Sequence, residues 1–291
     1  MKISIHDFSG VNSKEIEKRL INLALAEDLG SGDITTRALR LHKQGKAIVV
    51  AKAPGIISGL ASFMRVYKTL SPDFTFNISK RDGERVVPGS IVIGIKGPVS
   101  RILIGERTAM NLLCHLSGVA TITRSIVDEV RDLPVKILDT RKTLPGMRSL
   151  EKKAVRDGGA SNHRMGLYDM YLIKENHIAA SGGIDNALRS VTRHKKRTGA
   201  KIEIEVKNLD ELKVALEYDP DYLLLDNFNV SELKKSVRYA RSICPKAILE
   251  ASGNMNQKTV RRVAMTGVDR ISVGKITHSA PALDLSLKVI K

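Results

Sequence analysis

The chain has 291 residues, of which 42% are hydrophobic, and a formal net charge of +17. That length suits one large domain or two moderate ones with a sizeable core. No apolar run reaches the roughly 18–20 residues of a membrane span, and the opening MKISIHDFSG lacks the basic-then-apolar order of a signal peptide. Its 2 cysteines, Cys114 and Cys244, lie far apart without CxxC spacing, which argues against a disulfide framework or a thiolate metal site. A reduced cytoplasmic protein is the expectation. The positive charge permits nucleic acid or anionic small molecules as partners. Aromatic residues make up only 4% and Trp is absent, so base-stacking platforms are poorly supported.

In chain order, residues 12–30 read as an amphipathic helix. Asn12 or Ser13 is its cap, Glu15 and Glu17 fall in its first turn, and Gly30 stops it. Residues 45–105 read as β-rich, with strands at 46–52, 74–78 and 90–96 punctuated by Pro-Gly and Asp-Gly turns, and a helix at 61–70. Residues 101–131 have helical apolar spacing, with Glu106, Arg107 and Thr108 near the start. From 135 onward the pattern alternates. Strands are expected at 135–138, 170–173, 202–206, 222–225, 247–249 and 270–273. Helices are expected at 183–197, 209–217, 230–242 and 256–266. This alternation predicts a parallel sheet with right-handed crossovers. A polar residue or glycine stands at or just past each strand end: Asp139, Lys174, Glu205, Asp226, Ser252 and Gly274. Barrels and open doubly wound sheets both build their sites there. Residues 277–291 read as a further helix or strand.

The densest chemistry lies between Ile137 and Ile178: ILDTRKTLPGMRSLEKKAVRDGGASNHRMGLYDMYLIKENHI. A strand ending in Asp-Thr-Arg-Lys-Thr delivers Arg141 and Lys142 together. Such a cluster suits a ligand with several negative charges, because Arg binds carboxylate and phosphate bidentately and Lys binds them as a point charge. A solvated basic loop between two strands is the plainer alternative. Further on, Glu205 shares a strand face with Glu203, so either could be a structural charge lining the sheet. Asp226 in LLLDN is a site carboxylate or a helix cap, and Ser252-Gly253 a phosphate loop or an ordinary turn. His163 alone would be a satisfied structural histidine.

The segments DTRKT, PG, EKKAV and GG, followed by NHRMGLYDMYLIKENHI, resemble the signature region of the quinolinate phosphoribosyltransferase family. GERTAMNLL at 105, EVKNLDEL at 205, LLLDNF at 223, LEASGN at 249 and GVDRISVGKITHSAPALDLSL at 267 extend the likeness over nearly the whole chain. Family members commonly have a third glycine where Ala160 follows Gly158-Gly159, and many have Gly in place of Asn254. The resemblance implies an α/β fold: an N-terminal α+β domain over 1–113, rejoined by the tail 277–291, and an incomplete (β/α) barrel of about six or seven strands over 114–276.

The implied activity is that of a decarboxylating pentosyltransferase. Phosphoribosyl pyrophosphate and quinolinate give nicotinate mononucleotide, CO₂ and diphosphate, a step of NAD biosynthesis, with Mg²⁺ as cofactor. Arg107, Arg141, His163, Arg164 and Lys174 would surround the dicarboxylate, with Thr140 beside them. Arg107 would come from the neighbouring subunit of a homodimer, or of a higher oligomer. Lys142 would lie near both quinolinate and the leaving diphosphate. Glu205 and Asp226 would hold the ribose hydroxyls and the metal, and with Lys142 form the catalytic set. Ser252, Gly253, Asn254, Gly274, Lys275 and His278 would receive the 5′-phosphate. A ModD-like phosphoribosyltransferase-fold group with another anionic acceptor is the related alternative. A basic nucleic-acid-binding protein is the alternative of a different class. No nucleic-acid or membrane partner is expected.

Overall fold

The computed structural model describes residues 12–290; the opening MKISIHDFSG segment, and the expectation attached to it, therefore lie wholly outside the described residues. The chain divides into two compact units, one made of Met1–Ile122, Leu144–Gly159 and Ala280–Lys291, the other of Thr123–Thr143 and Ala160–Ser279. No helix among the described residues is long and apolar enough to cross a membrane.

The first unit begins with helices α1 (Ser13–Leu29) and α2 (Ile34–Ala38). Asn12 caps α1 by accepting the Glu15 N–H at 3.0 Å. Glu17, expected in the first turn, falls beyond it, and only Glu15 stands there. Glu17 is buried, accepts from Ser62 Oγ at 2.7 Å and pairs with Arg65. Strands β1 (Gln44–Ala51), β2 (Gly55–Ile56), β3 (Thr75–Ile78), β4 (Arg85–Val86) and β5 (Ile91–Pro98) follow, with helix α3 (Leu60–Leu70) between β2 and β3. Helix α4 (Val99–Asp128) then carries the apolar run that the sequence predicts.

The tail, open between helix and strand on sequence grounds, is strand β12 (Leu285–Ile290). It pairs antiparallel with β1 over Lys46↔Ile290 to Ala51↔Leu285 and completes the sheet order β12-β1-β5-β3. In β1 every second residue from Ala47 is buried, the signature of a sheet with one face on a core. That core holds Phe63, Tyr67 and Phe74, with ring centroids 5.2 and 5.0 Å apart.

Helix α5 (Arg148–Asp157) also belongs to this unit, inside the stretch where the sequence reading carried no helix. Its inner face is built from Leu150, Ala154 and Val155, but also from the fully buried Glu151 and Lys152. Glu151 accepts the Leu144 N–H at 3.3 Å and lies 2.7 Å from His115 Nε2. A buried face with charged members hides its helical period.

The second unit is a parallel sheet of 6 strands in the order β6-β11-β10-β9-β8-β7. The strands are β6 (Lys136–Leu138), β7 (Tyr171–Ile173), β8 (Ile202–Val206), β9 (Tyr222–Asp226), β10 (Leu249–Ser252) and β11 (Arg270–Ser272). From β7 to β11 each strand lies beside its neighbour in sequence. Helices α6 (Glu175–Ala180) and α7 (Ile184–Thr198), α8 (Leu209–Leu216), α9 (Val230–Ile243) and α10 (Gln257–Ala264) form the successive crossovers, and α11 (Lys275–His278) follows β11. β6 docks on β11 at the far edge, so the winding is that of a barrel left open between β6 and β7. Strand interiors are mostly apolar on both faces, as a parallel sheet under helices requires, with the buried Glu203 in β8 and Glu250 in β10 as exceptions. In β9 all of Tyr222–Leu225 is buried. Asparagines start the helices: Asn208, Asn229 and Asn256 accept backbone N–H groups at 2.9–3.0 Å.

Gly118 in α4 gives a test of packing in the first unit. A Cβ there would lie 2.0 Å from the Pro281 carbonyl oxygen, and that neighbour is backbone. Alanine favours a helix over glycine by about 1 kcal/mol, but overpacking a tight contact typically costs about 1–3 kcal/mol. Gly118→Ala is therefore expected to lower the thermal midpoint. A raised midpoint would mean that the tail does not sit against α4 this closely.

Candidate active site

Beyond the C-terminal ends of the parallel strands lies a cavity of about 710 Å³. Its wall begins at the end of β6. Asp139 is fully buried and accepts from Asn162 Nδ2 at 2.6 Å and from the His163 N–H at 2.8 Å. One carboxylate thus joins the DTRKT strand end to the NHR segment. The next residues follow from that anchor. Thr140 Oγ1 accepts the Lys142 N–H at 3.1 Å, and Thr277 Oγ1 donates to the Lys142 carbonyl at 2.7 Å. The backbone of Lys142 is held from both sides, and its side chain lines the cavity beside Arg141.

His163 Nδ1 accepts the Arg164 N–H at 2.7 Å, and Arg164 Nη1 donates to the Met170 carbonyl at 3.0 Å. Burial, and then the positive charge of Arg141, hold the Arg164 guanidinium below its ordinary pKa. Like charges gathered in a partly desolvated wall are relieved by an anion placed between them. Lys174, just past β7, reaches Glu205 Oε2 at the end of β8 at 2.8 Å.

Asp226 ends β9. It does not cap α9, because Asn229 does so with a reciprocal bond from Glu232. Instead its Oδ2 accepts from Asn227 Nδ2 at 2.6 Å. Asn227 has φ 59 and donates its N–H to the Ser252 carbonyl at 3.0 Å, so the β9 and β10 ends are laced together. Gly253 sits at φ +104, where an added Cβ would meet Asn227 Oδ1 at 2.2 Å. Asn254 follows at φ 47. That left-handed conformation suits glycine or asparagine, so Asn254 is tolerated there. Opposite, a Cβ on Gly274 would lie 3.2 Å from the His278 ring and 3.3 Å from Lys142 Cδ.

Every residue that the resemblance assigns to substrate or metal lines this one cavity, except Arg107; Asp139, singled out as a strand end, is buried and does not line it. Arg107 lies on α4 in the first unit. The sequence reading missed Asn227, Met255, Ser272 and the apolar Leu172 and Leu224, which also line it. Asn227 stood next to Asp226 in LLLDNF as its signal; the two leucines read only as strand interior. The wall holds the cations Arg141, Lys142, Arg164, Lys174 and Lys275 against the carboxylates Glu205 and Asp226. That balance suits a polyanionic ligand. The two carboxylates are an oxygen donor set of the kind that Mg²⁺ uses with substrate phosphates.

The family described as quinolinate phosphoribosyl transferase, N-terminal domain, matches residues 33–117, and the C-terminal domain of the same name matches 119–288. The nicotinate-nucleotide pyrophosphorylase [carboxylating] of Mycobacterium leprae is 40% identical over 92% of this chain and 95% of its own length. The probable enzyme of that name from Synechocystis is 39% identical over 92% of this chain and 90% of its own. Among solved structures, the nicotinate-nucleotide pyrophosphorylase of Francisella tularensis superposes with a TM-score of 0.90 at 39% identity, covering 96% of this chain and 98% of that one. With both domain types matched in order and relatives of this identity covered almost end to end, the chain belongs to the quinolinate phosphoribosyltransferase family.

Proposed function

We propose that the protein transfers the phosphoribosyl group of phosphoribosyl pyrophosphate to quinolinate, with decarboxylation, giving nicotinate mononucleotide, CO₂ and diphosphate. The observation that carries this reading is the single cavity in which five cationic side chains face two carboxylates. A dicarboxylate acceptor and a triply phosphorylated donor together need such a wall. Membership of the family, and relatives named for this reaction, support it further.

Arg141, Arg164 and Lys174, with Thr140 and His163 beside them, bind the dicarboxylate. Arg107 of a second subunit completes that pocket, which makes the working unit a homodimer. Arg forks match carboxylate geometry and orient the ring as well as neutralising it. The 5′-phosphate takes the Ser252, Gly253, Asn254 and Gly274 backbone with Lys275 and His278. Gly253 lets the chain approach closely because no side chain fits there. Glu205 and Asp226 hold the ribose hydroxyls. These two carboxylates would also hold Mg²⁺, which when bound neutralises charge on the diphosphate. The free thiols of Cys114 and Cys244 suit a reducing cytoplasm.

Departure of diphosphate leaves positive charge on the ribose carbon. Lys142 stabilises the departing anion, and Glu205 and Asp226 favour the developing cation, so the residues act electrostatically and none is a nucleophile. Transfer precedes decarboxylation in this reading. Once the ring nitrogen is ribosylated it is a pyridinium, and it stabilises the electron pair left at the adjacent carbon when CO₂ leaves. A decarboxylated pyridine trapped before diphosphate release would reverse that order.

Purified protein with quinolinate, phosphoribosyl pyrophosphate and Mg²⁺ is expected to release nicotinate mononucleotide and CO₂, and to do so with neither nicotinate as acceptor nor metal withheld. Turnover of nicotinate in place of quinolinate would refute the assignment. Lys142→Ala is expected to lower kcat roughly 100-fold or more, the scale of losing one preorganised charge at a developing anion. Arg141→Ala should act chiefly on the KM for quinolinate, roughly 10–100-fold, as the loss of a charge-assisted bond implies. Equal KM changes for both substrates would detach Arg141 from the dicarboxylate.

A further inference from the structure

His163 reaches below the cavity as well as lining it. Its Nε2 lies 3.0 Å from Glu203 Oε2 and 3.6 Å from Glu250 Oε1. Glu203 stands on β8 and Glu250 on β10, and both are fully buried. None of their four carboxylate oxygens has a well-aligned hydrogen-bond partner among the described residues, although the Ser272 hydroxyl stands near enough to Glu250 to favour its charged form. Two bare carboxylates in an interior are costly unless they share protons or a cation. Burial, and then the charge of Glu203, push the Glu250 acid up to about 7.

The three ligand atoms lie close enough to hold a metal ion. The other side of the imidazole argues against one. Nδ1 already accepts the Arg164 N–H at 2.7 Å, so its lone pair is used. A neutral ring with a free lone pair at one nitrogen carries its proton on the other. Metal on Nε2 would require the proton on Nδ1, where it would face the Arg164 N–H. The ring proton therefore belongs on Nε2, between the two glutamates.

We propose that Glu203 and Glu250 are positioning residues that hold His163 as the neutral Nε2–H tautomer, with the Nε2 proton beside the carboxylate pair. His163 then presents a fixed, uncharged ring edge to the acceptor. Neutralisation of the dicarboxylate falls to Arg141, Arg164, Lys174 and the Arg107 of the second subunit. The consequence for substrate rests on the reaction proposed above; the tautomer does not.

The test is ring-¹⁵N spectroscopy on the full chain labelled at histidine, without substrate, with His163 assigned by the signal lost in His163→Gln. A protonated Nε2 and an unprotonated Nδ1 are expected. An imidazolium, the opposite tautomer, or a metal-type shift of Nε2 on adding Zn²⁺ would overturn the proposal. In Glu203→Gln the fixed tautomer is expected to give way to a mixture, with the KM for quinolinate rising roughly tenfold and that for phosphoribosyl pyrophosphate within about twofold of wild type. Glu203→Asp should restore the single tautomer. An unchanged ring signature in a folded Glu203→Gln protein would refute the role. Should Glu203→Gln not fold, the wild-type spectrum still decides, and Glu250→Gln gives the second variant. Absence of quinolinate turnover with the expected spectrum would sink the reaction and leave the tautomer standing.

Discussion

The buried carboxylate of Asp139 is the interaction on which the site depends. The barrel is open between β6 and β7, so no ladder of strand bonds joins those two edges. The NHR segment that leads into β7 is tied to the end of β6 by the bridge Leu138↔Ser161 and the bonds from Asn162 Nδ2 and the His163 N–H to Asp139. An acceptor of this kind is costly to bury alone and stabilising once satisfied. It fixes the NHR segment relative to the end of β6. Arg141 and Lys142 on one side and His163 and Arg164 on the other thereby reach one cavity.

The remaining geometry follows from a parallel sheet. Every strand end points the same way, so polar residues placed one per strand end converge without long loops. Their pairings stay readily exchangeable. Lys174 is half exposed, and its bond to Glu205 is therefore of the class that adds little stability. An anion entering the cavity can replace it at small cost. Charge is held in reserve for the ligand, and fold stability rests on apolar strands and capped helices instead.

Much of this was legible in the sequence. The alternation after residue 135 gave the parallel sheet because strands buried on both faces leave uninterrupted apolar runs, as in Tyr222–Leu225. DTRKT and NHR pointed to the wall through their family resemblance, since charge at a strand end alone also fits a solvated loop. Helix α5 escaped because Glu151 and Lys152 occupy its buried face, so its polarity pattern and its burial pattern disagree. The tail stayed open between helix and strand because its pairing partner, β1, lies more than two hundred residues upstream in sequence. Glu250 escaped for a related reason. In LEASGN it reads as an ordinary polar position, and only β10 passing close to His163 gives it a partner.

Glu203 and Glu205 show how depth decides the work of identical side chains. Two residues apart on β8, they face the same way. Glu205, near the strand end, meets Lys174 and the cavity. Glu203, one step deeper and wholly enclosed, meets an imidazole and a second carboxylate. The sequence could place both on one face but could not rank them, because rank depends on where the barrel's interior closes over the strand. A carboxylate with a lysine and open water can take up ribose or metal. One sealed beneath His163 can only set how that ring stands, and this is why the two ends of IEIEV belong to different layers of the same site.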